Sequence, residues 1–255
     1  MERTPILETC DLRKVFRAKG KDDIVAVDGA SFQIHVGQSV ALVGSSGCGK
    51  STTARMLVRL TDATSGRILL HGRDMTHTRR RELRTLYDHV QMVFQNPTSS
   101  FDPRRTLGHG IAEGLLNRGV SKAEARIATT DLLEQCGLDP SFADRYPGEV
   151  SGGQCQRAAI ARALAVGPEL LICDEATSAL DVTVQNLVVR MLADIQRNRR
   201  LALLFICHDL ALVQGFCERV MVMQAGRIVE EGPTAGVLAH PQHEYTQRLV
   251  LTARA

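Results

Sequence analysis

Tryptophan is absent from the 255 residues, and aromatic side chains make up only 4% of them. With so few rings there is little platform for base stacking, so single-stranded nucleic acid is a poor candidate partner. An excess of one charge is lacking too. The 31 Lys and Arg against 28 Asp and Glu leave +3, too little for this length to argue for a polyanion or an anionic membrane surface. Long apolar runs are missing. The longest, such as Leu201 to Cys207, fit a buried strand and fall far short of the ~20 residues that span a bilayer. The opening Met-Glu-Arg-Thr-Pro has no apolar stretch of signal-peptide type. None of the seven cysteines (Cys10, Cys48, Cys136, Cys155, Cys173, Cys207, Cys217) lies in a Cys-x-x-Cys pair, and no Cys/His cluster has zinc spacing. Free thiols in a reducing cytosol are therefore expected.

What is present is ordinary globular material, 44% hydrophobic and 23% charged, enough to bury a sizeable core. No repeat, low-complexity segment or linker interrupts it. Ile6 to Phe16 and Val25 to Val36 are rich in β-formers, with turn residues at Lys19-Gly20 and Asp28-Gly29. Ser39 to Val43 is a short apolar strand, followed by a glycine-rich loop and a helix from Lys50 to about Leu60. The middle, about residues 96–166, is helical in pattern. Ser121 with Glu124 forms a capping box ahead of Ile127, Leu132 and Leu133, and Gly137 stops that helix. A second helix is predicted from Ser151 through Ile160 and Leu164 to Gly167-Pro168. Then Leu170 to Cys173 and Leu201 to Cys207 read as strands covered on both faces, separated by a helix over Val182 to Arg197. Val220–Met223 and Arg227–Glu230 read as a hairpin. Arg79-Arg80-Arg81 with Arg84 reads as a solvated helix face between two strands. The fold class is α/β: a parallel core with an N-terminal β portion and a helical insertion in its middle.

Gly44-Ser45-Ser46-Gly47-Cys48-Gly49-Lys50-Ser51 fits the phosphate-loop pattern of Gly, four residues, then Gly-Lys-Ser. Glycines let successive N–H groups turn inward around phosphate oxygens. The helix start behind them adds its positive dipole end. Lys50 neutralises the β- and γ-phosphates, and the Ser51 hydroxyl ligates Mg²⁺. Nucleotide binding is expected; the loop alone does not say which kind of NTPase this is.

Leu170 to Cys173 runs into Asp174-Glu175. A lone Asp-Glu at a strand end is usually the polar edge of a turn. Downstream of a phosphate loop, and at the carboxyl end of a parallel strand where ligands bind, the balance reverses. Asp174 can hold Mg²⁺ and Glu175 can polarise the water that attacks the γ-phosphate. His208 follows the next strand, where a histidine can hydrogen-bond the γ-phosphate and orient that water; Asp209 reads as a helix cap.

Val150-Ser151-Gly152-Gly153-Gln154 resembles the ABC signature, Leu-Ser-Gly-Gly-Gln. Around it the other motifs fall in ABC order. Gln95, in Val93-Phe94-Gln95-Asn96-Pro97, matches the Q-loop glutamine; Ser178-Ala179-Leu180-Asp181 matches the D-loop; His208 matches the switch histidine; Phe16 sits where the family stacks an aromatic on adenine. The resemblance covers essentially the whole chain. It implies one nucleotide-binding domain over 1–255, with 96–166 as its helical subdomain. It implies ATP and Mg²⁺ as cofactors. The expected nucleotide contacts are Phe16, the loop residues Gly44 to Ser51 with Thr52, Gln95, Ser151 to Gln154 and Asp181, with Ser51, Gln95 and Asp174 at the metal. Lys50, Glu175 and His208 are the expected catalytic residues. Paired head to tail, two such domains would place Ser151 and Gly153 of one against the γ-phosphate of the other.

A narrower resemblance is to the oligopeptide, dipeptide and nickel importer branch. Phe94 to Arg104 is similar to that branch's Asn-Pro…Ser-(Leu/Phe)-(Asn/Asp)-Pro-Arg segment, and His240-Pro241…Tyr245-Thr246…Leu249 to its His-Pro-x-x-x-Tyr-Thr-x-x-Leu. It looks like the second, shorter ATPase type of the branch. The implied partners are two membrane permease subunits, a second and non-identical ATPase and an external binding protein, with no nucleic acid, at the cytoplasmic face of the inner membrane. An exporter motor is the second reading, and an ABC ATPase acting on nucleic acid the third. The sequence departs from the family pattern in Val150 for Leu, Phe16 for Tyr and Cys155 after the signature. No cysteine-bearing tail follows the Tyr-Thr motif, so no iron–sulfur site is carried over.

Overall fold

The computed structural model describes residues 5–17, 22–79, 81–178 and 180–254. The Lys19-Gly20 turn, Arg80 and Ala179 lie outside them. Two β-strands open the chain, β1 (Pro5–Phe16) and β2 (Ile24–His35), followed by β3 (Ser39–Val43) and helix α1 (Lys50–Leu57). After them come β4 (Ser65–Leu70), β5 (Arg73–Asp74), α2 (Arg81–His89) and β6 (Val90–Val93). Helices α3 (Leu107–Leu116), α4 (Lys122–Gln135) and α5 (Gly152–Ala165) precede β7 (Leu170–Asp174). The remainder is α6 (Val182–Arg199), β8 (Ala202–Cys207), α7 (Leu210–Gln214), β9 (Arg219–Gln224), β10 (Arg227–Pro233), α8 (Thr234–Ala239) and α9 (Glu244–Arg254).

Among the described residues these strands form two sheets. One is antiparallel, in the order β2-β1-β4-β5; the other runs β10-β9-β3-β8-β7-β6, parallel except for the β9–β10 hairpin. Every residue of β3, β7 and β8 is buried, which explains why their sequences are unbroken apolar runs rather than alternations. Alternation reappears in the packing. Ala41, Val43, Leu171, Cys173, Leu203 and Phe205 belong to the core under the helices. Val40, Leu42, Leu170, Ile172, Leu204 and Ile206 belong to the core facing the antiparallel sheet. Side chains of successive strand residues point to opposite faces, so one sheet divides two cores.

Local chemistry sets the element ends. Ser121 and Glu124 form the expected capping box of α4, and Gly137 follows at φ 65°. The buried face of α4 is Ala125, Thr129, Leu132 and Leu133. Ile127 is 64% exposed, so the apolar stripe lies a step away from the one the sequence suggests. Asp28-Gly29 does not end a strand. β2 passes through it with Gly29 at φ 74°, where the β1–β2 register shifts, as at a β-bulge. α1 ends at Leu57 rather than near Leu60, with Arg59 at φ 60° turning the chain out of the helix. The β9–β10 hairpin turns through Ala225 and Gly226, both at positive φ, the backbone that a two-residue turn of this hand requires. α2 buries only Leu86, consistent with the solvated arginine face.

At the end of the sheet remote from the loops after β3, β7 and β8, Glu169 lies between two histidines. His71 Nε2 is 3.2 Å from its carboxylate, and His89 Nδ1 bonds the other oxygen. This triad ties the β4–β5 turn of one sheet to the entry of β7 in the other. All seven cysteines are free. Burial pushes the Cys136, Cys173 and Cys207 thiols up to about 12, so they stay protonated and unreactive.

Candidate active site

The loop after β3 is built around three glycines that no other residue could replace without strain. Gly44, Gly47 and Gly49 all have positive φ. A Cβ on Gly44 would lie 2.2 Å from the Met223 carbonyl oxygen, and one on Gly49 would lie 2.2 Å from that of Ala26. Both contacts are to backbone and cannot relax by a rotamer change. Gly49 also starts α1, accepting from the Thr53 hydroxyl at 3.0 Å. The loop is braced from behind by the hairpin turn, where Gly226 N–H donates to the Cys48 carbonyl at 2.9 Å.

Lys50 is 3% exposed. Its ammonium donates to the Gly44 carbonyl at 2.7 Å and to that of Ser45 at 2.9 Å. No carboxylate pairs with it among the described residues, so a buried cation sits under the loop with only neutral acceptors. Ser51 Oγ donates to the Asp174 carboxylate at 2.8 Å. The parallel pairing of β7 with β8 and of β8 with β3 brings the ends of those strands together, as expected for ligand sites in such sheets.

Asp174 is 4% exposed. Burial pushes its carboxyl above the usual range, the Ser51 hydroxyl opposes the rise, and the Glu175 charge adds to it. A carboxyl raised in the fold holds its proton more tightly folded than unfolded. Its ionised form therefore lowers stability as pH rises from the unfolded value towards the raised one. Asp174→Asn should raise the melting temperature of the nucleotide-free protein at pH 7 by roughly 2–4 °C, the shift about 1 kcal/mol gives at this size. The gain should shrink as pH falls towards 4, while Mg²⁺-dependent turnover is lost. Calorimetry at the two pH values beside an ATPase assay checks both. A variant less stable at pH 7 would contradict the burial account.

Glu175 adopts the left-handed backbone, φ 48°, which non-glycine residues rarely do. Its N–H donates to the Ile206 carbonyl at 3.0 Å, tying it to the adjoining strand β8. Its carboxylate accepts from Gln95 Nε2 at 2.9 Å, and Gln95 also reaches the Ser178 hydroxyl at 3.4 Å. Gln95 and Asp174 share a groove of about 390 Å³ with Arg55, Asn96, Ser100 and Arg162. His208 follows β8 at the same sheet end, with an exposed side chain.

Ser151 to Gln154 open α5. Ser151 Oγ accepts from Gln154 N–H at 3.3 Å, and Gln154 Oε1 accepts from Ser151 N–H at 2.8 Å. A Cβ on Gly153 would lie 2.6 Å from Val184 Cγ1, so the small residue lets the start of α5 press against α6. Asp181 caps α6, accepting from Val184 N–H at 3.0 Å. Gly152 has open space at its α-carbon, leaving this helix start accessible. Among the described residues no hydrogen bond joins Ser151–Gln154 to residues 44–52. The sequence-predicted residues thus fall into two clusters: the phosphate loop with Asp174, Glu175, Gln95 and His208, and the two helix starts at 151–154 and 181. Phe16, 44% exposed, lies at the end of β1 with the Lys14 ammonium 4.9 Å from its ring centroid.

The ABC transporter profile matches residues 27–178. The chain belongs to the ABC transporter family. It is 42% identical over 259 residues to the oligopeptide transport ATP-binding protein OppF of Salmonella typhimurium, covering 98% of this chain and 78% of OppF. It is 49% identical over 229 residues to the probable peptide ABC transporter ATP-binding protein y4tS of Sinorhizobium fredii, across 89% of this chain and 65% of that protein. It is 45% identical over 231 residues to the glutathione import ATP-binding protein GsiA of Salmonella paratyphi A, spanning 89% of this chain but 37% of GsiA. Among solved structures, the dimeric ATP-binding cassette MJ0796 bound to ADP and Pi superposes with a TM-score of 0.82 at 26% identity, over 89% of this chain and 98% of that one. The ABC cassette fold expected from the motifs is therefore present.

Three contacts at the site were not legible in the sequence. The bond from Gly226 to Cys48 and the packing of Met223 on Gly44 depend on how the hairpin folds back beside the loop. The Ser45 N–H, moreover, donates to the hydroxyl of Tyr245 at 2.7 Å, 200 residues downstream.

Proposed function

We propose that the chain is the ATP-binding and ATP-hydrolysing subunit of an ABC importer for peptides, working at the cytoplasmic face of the inner membrane. The observation that carries this reading is the meeting of two pairs at one sheet end: Ser51 with Asp174, and Gln95 with Glu175. The first pair is an all-oxygen donor set beside a phosphate loop, and the buried Asp174 carboxyl lacks a full counter-charge. Both features fit Mg²⁺. Ser51 and Asp174 would hold the ion, with Gln95 turning its amide oxygen towards it. When bound, Mg²⁺ supplies charge neutralisation at the β- and γ-phosphates.

The chain's own groups do the rest. Backbone N–H groups of the loop and of the start of α1 cup the phosphates, except those of Ser45 and Cys48, which bond the Tyr245 hydroxyl and the Ser45 carbonyl, and the Lys50 ammonium exchanges loop carbonyls for phosphate oxygens. Phe16 offers its ring face to adenine. The Glu175 carboxylate takes the proton of the attacking water, and His208 orients the γ-phosphate. Ser151 to Gln154 and Asp181 serve the nucleotide of a partner cassette, since among the described residues no hydrogen bond brings them to the loop of their own chain. A helix start with accessible N–H groups is suited to that phosphate.

Among the described residues no helix is long and apolar enough to cross a membrane, and in this reading separate permease subunits supply the path. The relatives named for peptide and glutathione transport support peptides as cargo over the nickel alternative. A tagged Glu175→Gln protein, extracted gently from membranes with ATP present, should bring along two permease proteins and a second ATPase, identified by mass spectrometry. Recovery of ribosomal or DNA-bound proteins without a permease would overturn transport and leave the ATPase chemistry standing.

A further inference from the structure

Residue Ser45 of the phosphate loop is gripped from both sides. Its carbonyl faces inward, accepting from the Lys50 ammonium at 2.9 Å and from Cys48 N–H at 3.3 Å. Its N–H leaves the loop on the other side and ends on the Tyr245 hydroxyl. The groups that deliver Tyr245 are themselves anchored. Glu230 on β10 accepts the N–H groups of Gln242 and His243, both at 2.9 Å. His243 Nδ1 accepts the Tyr245 N–H at 3.1 Å, and Gln247 Nε2 closes back on the Pro241 carbonyl at 3.1 Å. The phenol ring packs against the core beneath the helices, and Val250, one turn and a half further along α9, is buried in that core with Leu210 and Val213 of α7. The entry of α9 is thus built as a bracket between the hairpin and the loop, with the phenolic oxygen at its tip.

We propose that Tyr245 is a positioning residue of the phosphate loop, its hydroxyl holding the Ser45 peptide in the orientation that receives nucleotide. This rests on residues 44–52 being the nucleotide loop. A loop with three left-handed glycines has many conformations open to it. Pinning one peptide from outside removes some of them before ATP arrives, and pre-organisation of this kind appears as affinity. The contact is neutral, and a hydrogen bond of that class contributes about 1 kcal/mol net, or roughly fivefold in an equilibrium constant. The hold acts on the loop rather than on the γ-phosphate, so ATP and ADP are affected alike.

The test compares the complete protein with its Tyr245→Phe variant, which keeps the ring and its packing and removes only the oxygen. Dissociation constants for ATP and ADP are measured by calorimetry, with kcat at saturating ATP. Both dissociation constants should rise about fivefold, with kcat within twofold of wild type. Lys50→Ala is the control for the loop itself. If Lys50→Ala weakens binding while Tyr245→Phe binds as wild type, the positioning role is overturned and the loop reading survives. A lower melting temperature in Tyr245→Phe with unchanged affinities also overturns it. If Lys50→Ala leaves affinity intact, both the loop reading and the inference fall.

Discussion

Glu175→Gln is expected to lower ATP turnover by at least a hundredfold while leaving ATP affinity within about twofold of wild type, since a positioned general base contributes 10²- to 10⁴-fold. The two side chains have the same shape, and an amide oxygen can still accept from Gln95 Nε2 as the carboxylate does. The left-handed backbone at this position is held by the bond to the Ile206 carbonyl and does not depend on charge. What the amide cannot do is take a proton from water. Removing charge without moving atoms separates chemistry from binding, because the interaction lost is one made in the transition state. ATP should then accumulate uncleaved, and a closed pair of cassettes should appear on size-exclusion chromatography only when ATP is present. Hydrolysis within a few fold of wild type would remove Glu175 from its role.

Lys50→Ala is expected to weaken ATP binding by about a hundredfold, ~2.7 kcal/mol. The size follows from the environment. The ammonium is buried, donates to two neutral carbonyls and has no carboxylate partner among the described residues. Charged hydrogen bonds to phosphate are each worth about 1.5–3 kcal/mol, and the desolvation of Lys50 is already incurred in the fold before ATP arrives. For the same reason the nucleotide-free variant should melt no lower than wild type by more than the small loss of two loop contacts. Calorimetric titration with ATP, set beside a thermal melt without it, distinguishes a lost ligand contact from a collapsed loop. Unchanged affinity would show that the cation serves the loop alone.

Much of this site could be read in the residues because each motif carries its own backbone chemistry. Gly44-x-x-Gly47-x-Gly49-Lys50-Ser51 demands positive φ and a helix start, and both are found. A helix is predicted to begin at Ser151, and Ser151 is the cap of α5. Strand interiors were legible where burial on both faces made them continuous, as in β7 and β8. The short strands β4, β5 and β6 were not, because segments of two to six residues and mixed polarity carry no period to detect. Asp28-Gly29 misled for a related reason: the same dipeptide serves a turn or a bulge, and only the register of β1 against β2 decides between them. Ile127 misled because helical spacing admits neighbouring stripes, and packing selects one. Contacts such as Tyr245 with Ser45, or Glu169 between His71 and His89, are products of topology. Residues far apart in sequence meet there, with no local pattern to announce them.

The parallel sheet that separates the two cores has one more effect. Odd and even residues of β3, β7 and β8 are anchored in different oily compartments, so neither compartment can loosen without releasing half the side chains of the other's wall. The amide protons at the centre of these strands should consequently exchange with solvent only when the whole molecule opens. The helices between β6 and β7, fastened to one compartment alone, are free to breathe on their own. A molecule assembled this way keeps a rigid floor beneath the loop after β3 while the part bearing α5 retains room to swing.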